Sequence, residues 1–213
     1  MRQIAAIQTD SDQDWQADVE SGCFLHMIKV KGLEFTDMAA IMLDAGHGGW
    51  HGGASYEGRN EKDDVLALTL AVGNILSAAG EDVRYSRTED VYLSPKERAN
   101  QANELGVDYF ISIHRNSSPY PGQYSGVESL VYSRSGAAEI LAGNINRNLE
   151  SVGFINQGIA GRPGLVVLNS TNMPAVLVEV GFINTPTDNY TFDSRFGDIA
   201  QAIADGILES VGS

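Results

Sequence analysis

The chain has 213 residues, 43% of them hydrophobic, enough to bury one substantial core in a single domain with a short appendage. Its formal net charge of −14 repels phosphate at long range, which argues against nucleic acid as a partner. Cys23 is the only cysteine, which excludes an intramolecular disulfide and a cysteine zinc site, and no stretch approaches the roughly 20 apolar residues of a membrane span.

Residues 1–37 are acidic and lack sustained periodicity, apart from a strand-like run at 24–30. They read as an N-terminal extension to a domain spanning 38–213. The first twenty residues hold one basic residue, a short apolar stretch and then acids, a pattern unlike a secretory signal.

From Ala39 onward, strands and helices alternate. A short apolar run, 41–43, ends at Asp44 and leads into a glycine-rich loop, 46–58. A helix is predicted over 61–79, closed by Gly80. A strand over 83–86 precedes a second helix, with Ser94 as N-cap, Pro95 in the first turn, Glu97 completing a capping box and Gly106 at the end. Strands at 107–113 and 126–132, a helix at 136–152, strands at 165–168 and 175–180 and a last helix at 196–211 complete the reading. Such alternation predicts an α/β sheet with helices on both faces.

Four residues carry chemistry. His47 follows the first strand inside Asp44-Ala45-Gly46-His47-Gly48-Gly49, beyond the carboxyl end where open α/β sheets place their sites. The loop lacks the Lys-Ser/Thr ending of a P-loop, which disfavours phosphate binding. Glu61 lies on the same helical stripe as Val65, Leu68, Val72 and Leu76, so its carboxylate is expected to point inward. His114 ends an apolar strand and is expected to face the same rim. Glu179 lies inside Ala175-Val176-Leu177-Val178-Glu179-Val180, where a charge is costly unless paired, protonated or beside a metal. Two imidazoles and a carboxylate suit a catalytic zinc with an open fourth position, and a second acid suits proton transfer. Competing readings are a helix-dipole role for Glu61, a satisfied core histidine at 114 and a buried ion pair for Glu179. His51 is a competing ligand, and His26 reads as incidental.

Asp44-Ala45-Gly46-His47-Gly48-Gly49, Glu61, Ser112-Ile113-His114-Arg115-Asn116 and the run from Met173 to Phe182 together resemble the zinc-dependent N-acetylmuramoyl-L-alanine amidases of bacterial autolysins and phage endolysins. The resemblance covers roughly residues 39–211. It implies a single-domain α/β fold with a mixed, mostly parallel central sheet. It also implies one zinc ion per chain held by His47, Glu61 and His114, and Glu179 as the catalytic acid/base. The substrate it implies is peptidoglycan, cut between the lactyl group of N-acetylmuramic acid and L-alanine. Arg98 and Asn103 look structural. The chain departs from the family in having Ala45 where proline is usual and Arg115 where a small residue is common. Arg115 is expected to touch an anionic part of the stem peptide, with Asn116 beside it as a second substrate contact.

Other readings are a carboxypeptidase-like zinc enzyme, a wall-binding module without turnover and a nucleotide-binding domain. Action on the wall without a visible signal or wall-binding domain implies a protein held in the cytoplasm until lysis, or exported by another route. So acidic a chain gets no long-range electrostatic help towards anionic wall polymers and depends on short-range recognition. Neither nucleic acid nor membrane is expected as a partner.

Overall fold

Alternating side chains along three neighbouring strands divide the interior in two. Ile41, Leu43 and Ala45, Ile111 and Ile113, and Val176, Val178 and Val180 turn to one face and join the larger apolar cluster. Met42, Phe110, Ala175 and Leu177 turn to the other face and join the smaller one. A computed structural model describes residues 38–211. The extension 1–37, with the strand-like run 24–30, lies outside the described residues.

The strands are β1 (Ala40–Ala45), β4 (Asp82–Tyr85), β5 (Tyr109–Asn116), β6 (Val127–Val131), β7 (Asn156–Gly161) and β8 (Ala175–Phe182), and a small hairpin, β2 (Ser55–Tyr56) with β3 (Arg59–Asn60), interrupts the glycine-rich loop. The six-stranded sheet has the order β4-β1-β5-β8-β6-β7. β4, β1, β5 and β8 run parallel, as do β6 and β7, and the two sets meet antiparallel between β8 and β6. The sheet is therefore mixed and mostly parallel, as expected.

On the larger cluster lie α1 (Glu61–Ala78), α3 (Gly136–Val152) and α6 (Phe196–Val211); their stripe residues Val65, Leu68, Val72, Leu141, Ile145, Ile203 and Ile207 have no exposed surface. The smaller cluster is covered from α2 (Pro95–Leu105) by Ala102 and from α4 (Val166–Asn169) by Val167 and Leu168. Burying each such aliphatic side chain stabilises the fold by about 1.5–3 kcal/mol. The capping box at Ser94 and Glu97 is formed, and Gly106 ends α2 in the left-handed region at φ 61°.

Three expectations need correction. The run 165–168 forms α4, not a strand: Val167 and Leu168 turn together into the smaller cluster while Val166 stays exposed, which suits one helical turn and not a period of two. β7 and α5 (Pro186–Ser194) were not expected; the polar, glycine-bearing edge strand Asn156–Gly161 pairs on one side only and carries little apolar alternation. β5 extends to Asn116 and so includes His114 and Arg115. No helix of the described residues is long and apolar enough to cross a membrane.

Candidate metal centre and active site

β1, β5 and β8 end at one rim of the sheet. Register places Asp44 beside Ser112 and His114 beside Glu179. Just below the rim, Asp44 is wholly buried and accepts hydrogen bonds from Ser86 Oγ (2.5 Å), Ser112 Oγ (2.6 Å) and Arg98 Nη1 (2.6 Å). Burial pushes the Asp44 carboxyl up, but the Arg98 charge and these bonds outweigh it and hold the group below its ordinary range. Arg98 also donates to the carbonyls of Ala45 and His47, and Arg87 donates to those of Ala45 (2.9 Å) and Gly46 (2.8 Å). Two buried guanidinium groups thus fix the backbone that carries His47, whose φ of 57° is unusual for a residue with a side chain.

His47 Nε2 lies 3.0 Å from Glu61 Oε2, and His114 Nδ1 lies 2.8 Å from Glu61 Oε1. One ligand atom from each of the three residues falls within 4.8 Å of the others. Glu61 opens α1, is 3% exposed and also accepts the backbone N–H groups of Ala54 (2.8 Å) and Arg115 (3.0 Å). Burial pushes its carboxyl up, yet the bonds and charges of His114 and His47 hold it far below the usual range. His114 is pushed down by burial, but the bond and charge of Glu61 together with the charges of Glu179 and Asp44 outweigh it, so its net shift is upward. The donor set, two ring nitrogens and one carboxylate from three separate elements, fits a tetrahedral divalent ion with one open position. Small residues make room for it: a Cβ on Gly46 would meet the His114 ring at 2.3 Å, and one on Gly53 would meet Glu61 Oε2 at 2.5 Å and the His47 ring at 2.6 Å.

Glu179 lies next to His114 on β8, on the face of the sheet that carries Leu177. Its Oε2 is buried with no hydrogen-bond partner. Burial raises its pKa to about 7, with the positive charge of His114 opposing and the negative charges of Glu61 and Glu128 adding to the rise. Glu128, on β6, is in register with Glu179 and was not anticipated. With Ser129 beside it, Glu128 does not interrupt a wholly apolar run as Glu179 does, so the sequence marks it less clearly.

Arg115 requires correction as a substrate contact. It follows His114 on a strand, so it points to the opposite face. There its side chain is fully buried, bonded to Asp64 (2.6 Å) and Asn189 (2.6 Å) and lying 4.1 Å over the Phe192 ring. Asn116 is half-buried at the strand end, and its Oδ1 accepts the N–H of Ser117. His51 lies outside the three-residue cluster but stacks on His47, with ring centroids 4.9 Å apart and Nδ1 to Nδ1 2.8 Å. The tautomer of His47 that donates from Nδ1 to His51 is the one that leaves the Nε2 lone pair for the cluster.

Comparison with known proteins gives the chain's family. The model of the N-acetylmuramoyl-L-alanine amidase family matches residues 41–209. A sporulation-specific N-acetylmuramoyl-L-alanine amidase of Bacillus subtilis (strain 168) is 38% identical over 155 residues, covering 71% of this chain and 59% of that protein. The endolysin of Bacillus phage SPP1 is 34% identical over 179 residues, covering 79% of this chain and 65% of the endolysin. The chain therefore spans about 60% of the length of these two relatives. The crystal structure of an N-acetylmuramoyl-L-alanine amidase from Clostridium difficile 630 superposes with a TM-score of 0.76 at 31% identity, covering 83% of this chain and 98% of that one. The chain belongs to the N-acetylmuramoyl-L-alanine amidase family.

Proposed function

We propose that residues 38–213 form a catalytic domain that hydrolyses the amide between the lactyl group of N-acetylmuramic acid and L-alanine in peptidoglycan. In this reading one zinc ion is held by His47, Glu61 and His114. The observation that carries it is a nitrogen–oxygen–nitrogen donor set beside Glu179 on the adjacent strand, whose buried Oε2 has no hydrogen-bond partner.

Zinc held there would supply Lewis-acid chemistry, acidifying water and polarising a carbonyl. The chain's own residues do the rest. Glu61 and the two imidazoles are preorganised by Arg87, Arg98 and His51, so little reorganisation is needed. Glu179 takes a proton from the attacking water and passes it to the departing L-alanine nitrogen. The lactyl carboxylate and the free amine of the stem peptide are the products. A carboxyl raised towards neutrality is suited to both halves of this exchange. Asn116, at the end of β5, is a stem-peptide contact in this scheme. The protein would act on the cell wall, with neither nucleic acid nor membrane as a partner.

Mass spectrometry of purified peptidoglycan digested with the protein tests the reaction. The expected products are glycan strands with free lactyl carboxylates and stem peptides with a new L-alanine amino terminus. New carboxyl ends inside the stem peptide, with the lactyl amide intact, would instead identify a carboxypeptidase-like enzyme.

A further inference from the structure

Beside the metal cluster, an aromatic surface remains that the reaction scheme does not use. Trp50 is 77% exposed and Tyr92 37%, with ring centroids 4.5 Å apart at an interplanar angle of 35°. A chain of ring contacts ties them to the site: Trp50 meets His51 edge-on at 5.6 Å, and His51 stacks on His47. The two loops that carry the pair are clamped together. Gly49 N–H donates to Asp90 (2.7 Å), while Lys62 donates to the Gly49 carbonyl (2.9 Å) and to Asp90 (2.6 Å). A bridge between Gly48 and His51 closes the turn under Trp50. A large indole held out into solvent on a hydrogen-bonded loop leaves apolar area unburied that a ligand can cover.

We propose that Trp50 and Tyr92 form a stacking subsite for one pyranose ring of the glycan strand. The proposal rests on the amidase reading for the nature of the polymer. The charges nearby favour a neutral sugar over the carboxylate-bearing stem peptide. Lys62 is spent on Asp90, and the guanidinium groups of Arg87 and Arg98 are buried on backbone carbonyls. These three cations are engaged and not offered to a carboxylate, whereas the apolar C–H face of a pyranose needs none. A neutral stacking contact also meets the need for short-range recognition in a chain of charge −14.

The test uses peptide-free glycan strands with their lactyl carboxylates blocked as amides, free stem peptide and whole peptidoglycan with the wild-type protein, Trp50→Ala and Trp50→Phe, each checked for zinc content. The wild type should bind peptide-free glycan, Trp50→Ala should bind it about tenfold more weakly, and Trp50→Phe should recover most of the loss. On whole peptidoglycan, KM for Trp50→Ala should rise more than kcat falls. Equal glycan affinity in wild type and Trp50→Ala would overturn the subsite. So would a loss confined to stem peptide, or a change of oligomeric state as the sole effect. Failure of the amidase reading would show separately, as wild-type protein that binds glycan but frees no L-alanine amino terminus.

Discussion

Glu179→Gln is expected to lower amide hydrolysis by about 10²–10⁴-fold, the range for loss of a general acid/base, while zinc binding is retained. The same change should stabilise the metal-free protein. In the fold, burial raises the Glu179 pKa from 4.5 to about 7, so its charged form is disfavoured relative to the unfolded chain. Below pH 4.5 the group is protonated in both states and costs nothing; the penalty grows between 4.5 and 7 and is complete above 7. At about 1.4 kcal/mol per pKa unit, glutamine should contribute roughly 3 kcal/mol above neutrality and nothing at pH 4. Urea melts of metal-free wild type and variant at pH 4 and pH 8 read this directly. Undiminished turnover in Glu179→Gln would remove the residue from the mechanism. Equal stability at pH 8 would remove the account of its raised pKa. A residue that costs stability and supplies chemistry is a common feature of active sites.

The second large effect lies beneath the site. Arg98→Met should destabilise the domain by about 3–5 kcal/mol, because it leaves Asp44 charged and buried with only two hydroxyls as partners. It also removes donors from the Ala45 and His47 carbonyls, so zinc affinity should fall together with stability. The pH dependence has a definite sign. In the wild type Asp44 is held below its ordinary 3.8, so its contribution is present above that value and is lost as pH falls through the lower folded value. In the variant, burial without Arg98 should push its pKa above 3.8, so the defect is largest above that raised value and narrows as the pH falls through it. Thermal or denaturant melts at pH 7 and pH 3.5 separate this from a simple packing loss, which would be the same at both.

Much of this site was legible before the fold. Glu61 was placed by a helical stripe whose members Val65, Leu68, Val72 and Leu76 are all fully buried. His47 and Glu179 stood out for local reasons, one in a glycine loop after a strand and the other a charge in an apolar run. Arg115 was misplaced because β5 was taken to stop at His114; once the strand runs to Asn116, its two-residue period carries Arg115 to the opposite face. Glu128 depends on the antiparallel register between β6 and β8, and His51 and Tyr92 on how two loops clamp. Pairings of that kind are set by tertiary packing and leave no periodic trace.

Zinc content, measured after dialysis against a trace-metal buffer, addresses the centre itself. The wild type should hold about one zinc per chain, and His114→Ala, with its helical circular dichroism retained, close to none. Wild-type protein that takes up no zinc, or a folded His114→Ala that keeps a full equivalent, would contradict the three-residue site.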